Sequence, residues 1–83
     1  MDLQDWHPAD IIAGLKKKGT SLAAVSRSAG LSSSTLANAL LRPWPKGEKL
    51  IADVLGISPE IIWPSRYFDE AGNPVHRHTR SKL

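Results

Sequence analysis

Ser32, Ser33, Ser34, Thr35, Asn38 and Arg42 fall within eleven consecutive positions of this 83-residue chain. No paired carboxylate and no Ser/His/Asp arrangement accompanies them, so they supply neither a general acid nor an activated nucleophile. Their chemistry is hydrogen bonding. The Asn38 amide both donates and accepts, and can bond the two adjacent groups on an adenine edge. Ser and Thr hydroxyls bond base edges or phosphate oxygens, and the Thr35 methyl or Ala37 can touch a thymine methyl. Together the set suits reading of a polar, anionic surface.

Such residues need elements that present them together. Gly30 separates two short helical patterns. Upstream, Thr20 or Ser21 can cap a helix in which Leu22, Val25, Ser26 and Ala29 share a face. Downstream, Leu36, Ala39 and Leu40 continue a helical face up to Leu41. A glycine between the two accepts positive φ without a Cβ clash. Ser26, four positions earlier, is small enough for the helices to approach, and Leu31 plugs the turn. This is a helix-turn-helix pattern. It leaves Ser33, Ser34, Thr35, Ala37, Asn38 and Arg42 facing outward, with the N–H groups of the second helix's first turn available to an anion. An αα-hairpin with a plain polar face is the competing reading of this spacing.

The flanking segments also read as helices. Pro8 suits a first helical position, Ile11, Ile12 and Leu15 share a face, and Lys16–Lys18 meet the negative end of the dipole, which predicts a first helix over 8–18. Arg42-Pro43-Trp44-Pro45 breaks the second motif helix. Pro45 opens a fourth helix with Leu50, Ile51, Val54 and Leu55 as its stripe, stopped by Gly56. Ser58-Pro59-Glu60 starts a short fifth helix that Pro64 must end. No segment alternates as a strand does. From Phe68 onward, Gly72, Asn73 and Pro74 among polar residues predict a mobile, weakly basic tail, so the domain is expected over 1–67 and the tail over 68–83.

Charge points the same way. The net +3 is modest, but between Gly14 and Ile51 seven lysines and arginines face one acid, Glu48, a local +6. The rest of the chain carries −3. Separated signs set up a field that steers a polyanion. Ser32, Arg27, Arg42, Lys46 and Lys49 are the candidate phosphate contacts, the two lysines at a helix start being well placed to share one phosphate. Glu48 between them is expected to orient them or to pair weakly with Lys49. Lys16–Lys18 either bind phosphate or only complement their helix end.

The same arithmetic excludes much else. There is no cysteine, hence no disulfide, thiolate metal site or thiol nucleophile. The apolar runs are too short for a membrane span or a signal peptide, so a cytoplasmic, nucleoid-associated protein is expected. An all-helical domain of this size has little room for a substrate cleft, so no enzyme activity and no cofactor are expected. His76-Arg77-His78 lacks a third ligand, and no metal site is expected. Trp6, Trp44 and Trp63 are assigned to core or rim packing, and His7 to capping or the surface.

Specific runs of residues narrow the class. Asp5-Trp6-His7-Pro8-Ala9-Asp10-Ile11-Ile12-Ala13-Gly14-Leu15-Lys16-Lys17 resembles the start of the Ner proteins of Mu-type transposable phages and of their Ner-like (Nlp) bacterial relatives. Ser34 to Leu40, Trp44 to Glu48 and Ile62 to Tyr67 resemble that family too. The resemblance implies an all-α, compact five-helix, λ-repressor-like domain with a helix-turn-helix. It implies operator binding, usually in repression, with the second motif helix in the major groove. Carried onto this chain, the base-contacting positions are Ser33, Ser34, Thr35 and Asn38. Ser26 departs from the alanine typical at that place, and its hydroxyl can return to a carbonyl one turn back.

Double-stranded DNA is therefore the expected partner, with no membrane. A domain this small covers few base pairs, so two copies on adjacent half-sites are expected, with a monomer or weak dimer in solution. A small protein-interaction adaptor using the helix-turn-helix face, suggested by the Pro43-Trp44-Pro45 loop, is the alternative. Membrane binding through Lys16–Lys18 is disfavoured, because those lysines occupy only the last turn.

Overall fold

The computed structural model describes residues 4–75. His76-Arg77-His78 lies outside them. Helix α1, Pro8–Lys17, begins with its proline at the first position, where no N–H is missed, and His7 Nδ1 accepts from the Ala9 N–H at 3.0 Å. Ile11 and Leu15 enter the core, whereas Ile12 turns outward at 45% exposure, so the buried stripe of α1 is narrower than its apolar pattern. The helix closes at Lys17, one residue before the expected end, with Lys18 as its cap.

Helix α2, Leu22–Ser28, is capped by Ser21, whose Oγ accepts from the Ala24 N–H at 3.1 Å. The second motif helix is less regular than its spacing suggests. It opens as a 3-10 turn over Thr35–Ala37 and becomes α-helical in α3, Asn38–Leu41. Ser34 holds the cap position without a side-chain bond, and beside it Ser32 Oγ bonds Thr35 Oγ1. The hydroxyls at the two ends of this four-residue run thus bond each other within the turn.

Helix α4, Pro45–Leu55, follows, then α5, Pro59–Ile62, and α6, Pro64–Tyr67. Among the described residues the α-helices number six rather than five. Pro64 does end α5, but its fixed φ also starts another turn. Asp5 holds that turn from across the chain. Its carboxylate accepts from the Ser65 N–H at 2.9 Å and the Ser65 hydroxyl at 2.6 Å. One core joins all of this, centred on Ile11, Leu15, Val25, Leu36, Ala39, Ile51, Ala52, Ile62 and Trp63, with Trp6 and Trp44 half-buried at its rim.

The chain does not stop being folded at Tyr67. Phe68 and Pro74 form an antiparallel bridge, the Val75 N–H donates to the Tyr67 carbonyl at 2.7 Å, and the Asp69 carboxylate accepts from Ala71 and Asn73 N–H, each at 2.9 Å. The tail expected to be mobile from Phe68 thus begins with a hydrogen-bonded turn over 68–75, made possible by Asp69 as its internal acceptor. Among the described residues, no helix is long and apolar enough to cross a membrane.

Candidate nucleic-acid interface

The turn between α2 and the recognition segment has the geometry its glycine demands. Gly30 sits at φ +80°, and the Leu31 N–H returns to the Ser26 carbonyl at 2.9 Å. Ser26 is fully buried, and its hydroxyl does not bond one turn back as the sequence suggested. It donates across the turn to the Ser32 carbonyl and accepts from the Leu36 N–H at 3.2 Å. The reason is geometric. In the 3-10 start of the recognition segment the Leu36 N–H points back toward α2, and a serine at the crossing point supplies both groups it and Ser32 need. One side chain thereby ties both halves of the helix-turn-helix.

This geometry presents the candidate reading residues outward. Ser32, Ser33, Ser34 and Asn38 are exposed, and Thr35 is half-buried. Thr35, Asn38 and Arg42 are brought together around one open depression of about 310 Å³, whose other walls are Pro43 and Trp44. Ser33 and Ser34 are not among its lining residues. Leu41 was read only as the end of the apolar face, yet it is 76% exposed. A helix of four residues that buries Ala39 and half-buries Leu40 turns its next side chain to solvent. The helical pattern of three neighbouring apolar residues in a short helix is the signal that could have shown it.

At the far end, the structure overturns the expectation for Glu48. Its side chain is fully buried and orients neither lysine. It accepts from the Trp44 backbone N–H at 2.7 Å, from Arg66 Nη1 at 3.0 Å and from the Tyr67 hydroxyl at 2.6 Å. Arg66 Nη1 also donates to the Ala39 carbonyl in α3 at 2.7 Å, and its guanidinium lies over the Trp63 ring, 4.9 Å from the centroid. Burial of the carboxylate is possible because cation, hydroxyl and amide all point at it. The cluster binds the end of the recognition segment, the start of α4 and α6 into one unit. Its key members, Arg66 and Tyr67, lie 18 and 19 residues from Glu48, beyond any local pattern.

The candidate phosphate contacts stand apart from that cluster. Arg27 on α2, Arg42 after α3, and Lys46 and Lys49 in the first turns of α4 are all exposed. Lys49 pairs with Asp53, not Glu48, at 3.4 Å, with both side chains largely in solvent. An exposed pair of this kind holds the lysine only weakly. Because Glu48 is neutralised inside, the surface field of the 14–51 stretch is set by its cations. Among the described residues no group of three or more potential ligands is placed to hold a metal.

A buried two-helix turn, an outward polar segment and exposed cations beside it define a helix-turn-helix domain of the nucleic-acid-binding type. The chain is 77% identical over 65 residues to the sugar fermentation stimulation protein B of Escherichia coli K12, covering 78% of this chain and 71% of that protein. It is 62% identical over 64 residues to the negative regulator of transcription of Escherichia phage Mu, covering 77% and 85%. The solution NMR structure of the Mu Ner protein matches this one with a TM-score of 0.69 at 62% identity, over 78% of this chain and 88% of that one. Matched over residues 5–79 by the model of the winged helix-turn-helix DNA-binding family, the chain belongs to that family and, within it, to the Ner proteins.

The match runs past Tyr67 into the turn closed by the Phe68–Pro74 bridge.

Proposed function

We infer that this chain binds double-stranded DNA sequence-specifically through its helix-turn-helix and regulates transcription, acting as a repressor. The observation that carries this reading is the locked recognition segment. Ser26 at one end and Arg66 at the other hold Thr35–Leu41 by its backbone, leaving the outward side chains free to read bases. Family membership and the name of the phage Mu relative support it. In this reading Ser33, Ser34, Thr35 and Asn38 meet base edges, while Ser32, Arg27, Arg42, Lys46 and Lys49 meet phosphates. Residues 1–67 carry the binding, with 68–83 appended to them. Two copies bind adjacent half-sites, on the nucleoid in the cytoplasm, without a cofactor.

Selection of bound duplexes from a random pool tests this. The expected result is enrichment of one sequence, repeated at a spacing near one helical turn. Recovery of unenriched DNA, or no retention of any duplex, overturns it; the second outcome favours a protein-docking role for the same face.

A further inference from the structure

We propose that the depression walled by Thr35, Asn38, Arg42, Pro43 and Trp44 reads a C5-methyl group: it seats the methyl of a thymine beside the adenine that Asn38 bonds. The inference rests on the DNA-reading role above and adds to it a specificity element outside the recognition helix, the Pro43-Trp44 loop.

The depression lies on the reading surface itself, since Thr35 and Asn38 belong to the recognition segment. Its walls mix two kinds of chemistry. Asn38 and Arg42 are polar and exposed, suited to base edges and phosphate. Pro43 and Trp44 are apolar, and Thr35 carries a methyl beside a hydroxyl bonded to Ser32. Trp44 is not a loose side chain. Its ring rests on Gly47, where even an added methyl would overlap it, and its backbone N–H is held by Glu48 at 2.7 Å. The apolar wall is therefore preformed.

One helical turn beyond Asn38, Leu41 stands 76% exposed, the most exposed of the chain's large apolar side chains among the described residues. A rigid apolar wall flanks a polar reader, and Leu41 lies outside the depression's lining. Phosphates and sugars offer such a surface little, and base edges in the major groove carry one apolar substituent, the thymine C5-methyl. Asn38 selects adenine by a bidentate bond, which fixes the depth at which the neighbouring base edge arrives. Burying one methyl there is worth about fourfold in affinity.

The test uses the duplex recovered by selection, with each thymine in turn replaced by deoxyuridine, which lacks only the methyl. Dissociation constants are measured by fluorescence anisotropy at fixed salt for the native chain, Thr35→Ser and Leu41→Ser. Thr35→Ser removes a lining methyl and keeps the hydroxyl; Leu41→Ser alters an exposed side chain and leaves folding intact. Deoxyuridine is expected to cost about fourfold at a thymine next to the position whose base preference relaxes in Asn38→Ala. That cost is expected to fall below about twofold in Thr35→Ser and to stay at about fourfold in Leu41→Ser, a change outside the depression. A selected site with no thymine there, no deoxyuridine cost at any position, or a cost unchanged in Thr35→Ser overturns the methyl pocket while leaving DNA reading standing. Failure of the native chain to prefer the selected duplex over random DNA overturns both.

Discussion

The recognition segment is anchored at its two ends by buried polar groups of different kind. At its start a single neutral hydroxyl, Ser26, satisfies one carbonyl and one N–H across the turn. At its end a carboxylate, Glu48, gathers a guanidinium, a phenol and a backbone N–H, and the guanidinium passes the tie on to Ala39 in α3. A hydroxyl is cheap to bury, and its loss takes the acceptor from the buried Leu36 N–H while the Ser32 carbonyl keeps the Thr35 N–H, so no charge is stranded. A carboxylate is costly to bury, and loss of any one partner strands a charge. The start is therefore tolerant and the end is not, although both hold the same few residues.

The largest effect should come from breaking the charged end. Glu48→Ala removes the acceptor and leaves Arg66 buried beside Trp63 without its partner. Urea denaturation is expected to show a loss of about 3–5 kcal/mol. Ser26→Ala, at the neutral end, should cost about 1–2 kcal/mol in the same measurement, since one buried N–H loses its acceptor while the Ser32 carbonyl keeps another donor. Equal losses at the two sites would erase the distinction between the anchors. Smallest is the change at a solvated cation. For the native chain, log K should fall with log salt at a slope of about −4 to −5 if about five phosphates are contacted. Lys46→Ala should make that slope shallower by about 1 and weaken all duplexes alike, with stability unchanged. A sequence-dependent loss in Lys46→Ala would place that lysine on a base rather than a phosphate.

The legible parts of the fold are those whose cause lies within a few residues. Pro8 and Pro45 opened helices where their missing N–H costs nothing, and Gly30 and Gly56 turned the chain at φ +80° and +76°. The outward placement of Ser33, Ser34 and Asn38 followed from helical spacing around Leu36 and Ala39, both fully buried. The illegible parts depend on partners far along the chain. Glu48 reads locally as one acid among lysines, and only the fold brings Arg66 and Tyr67 to it. Ser26 was legible as small but not as a bridge, because its partners, the Ser32 carbonyl and the Leu36 N–H, reach it only through the 3-10 start of the segment. Helix α6 was missed for a similar reason. Its first turn is held by Asp5, 60 residues away.

In the function proposed, the locked segment reads base sequence through Asn38. Its most direct test is the affinity of the native chain and of Asn38→Ala for the selected duplex and for a random one, at one salt concentration. A loss of about 1–3 kcal/mol is expected on the selected duplex, with binding to the random duplex unchanged. Equal losses on both duplexes, or no loss on either, would contradict it.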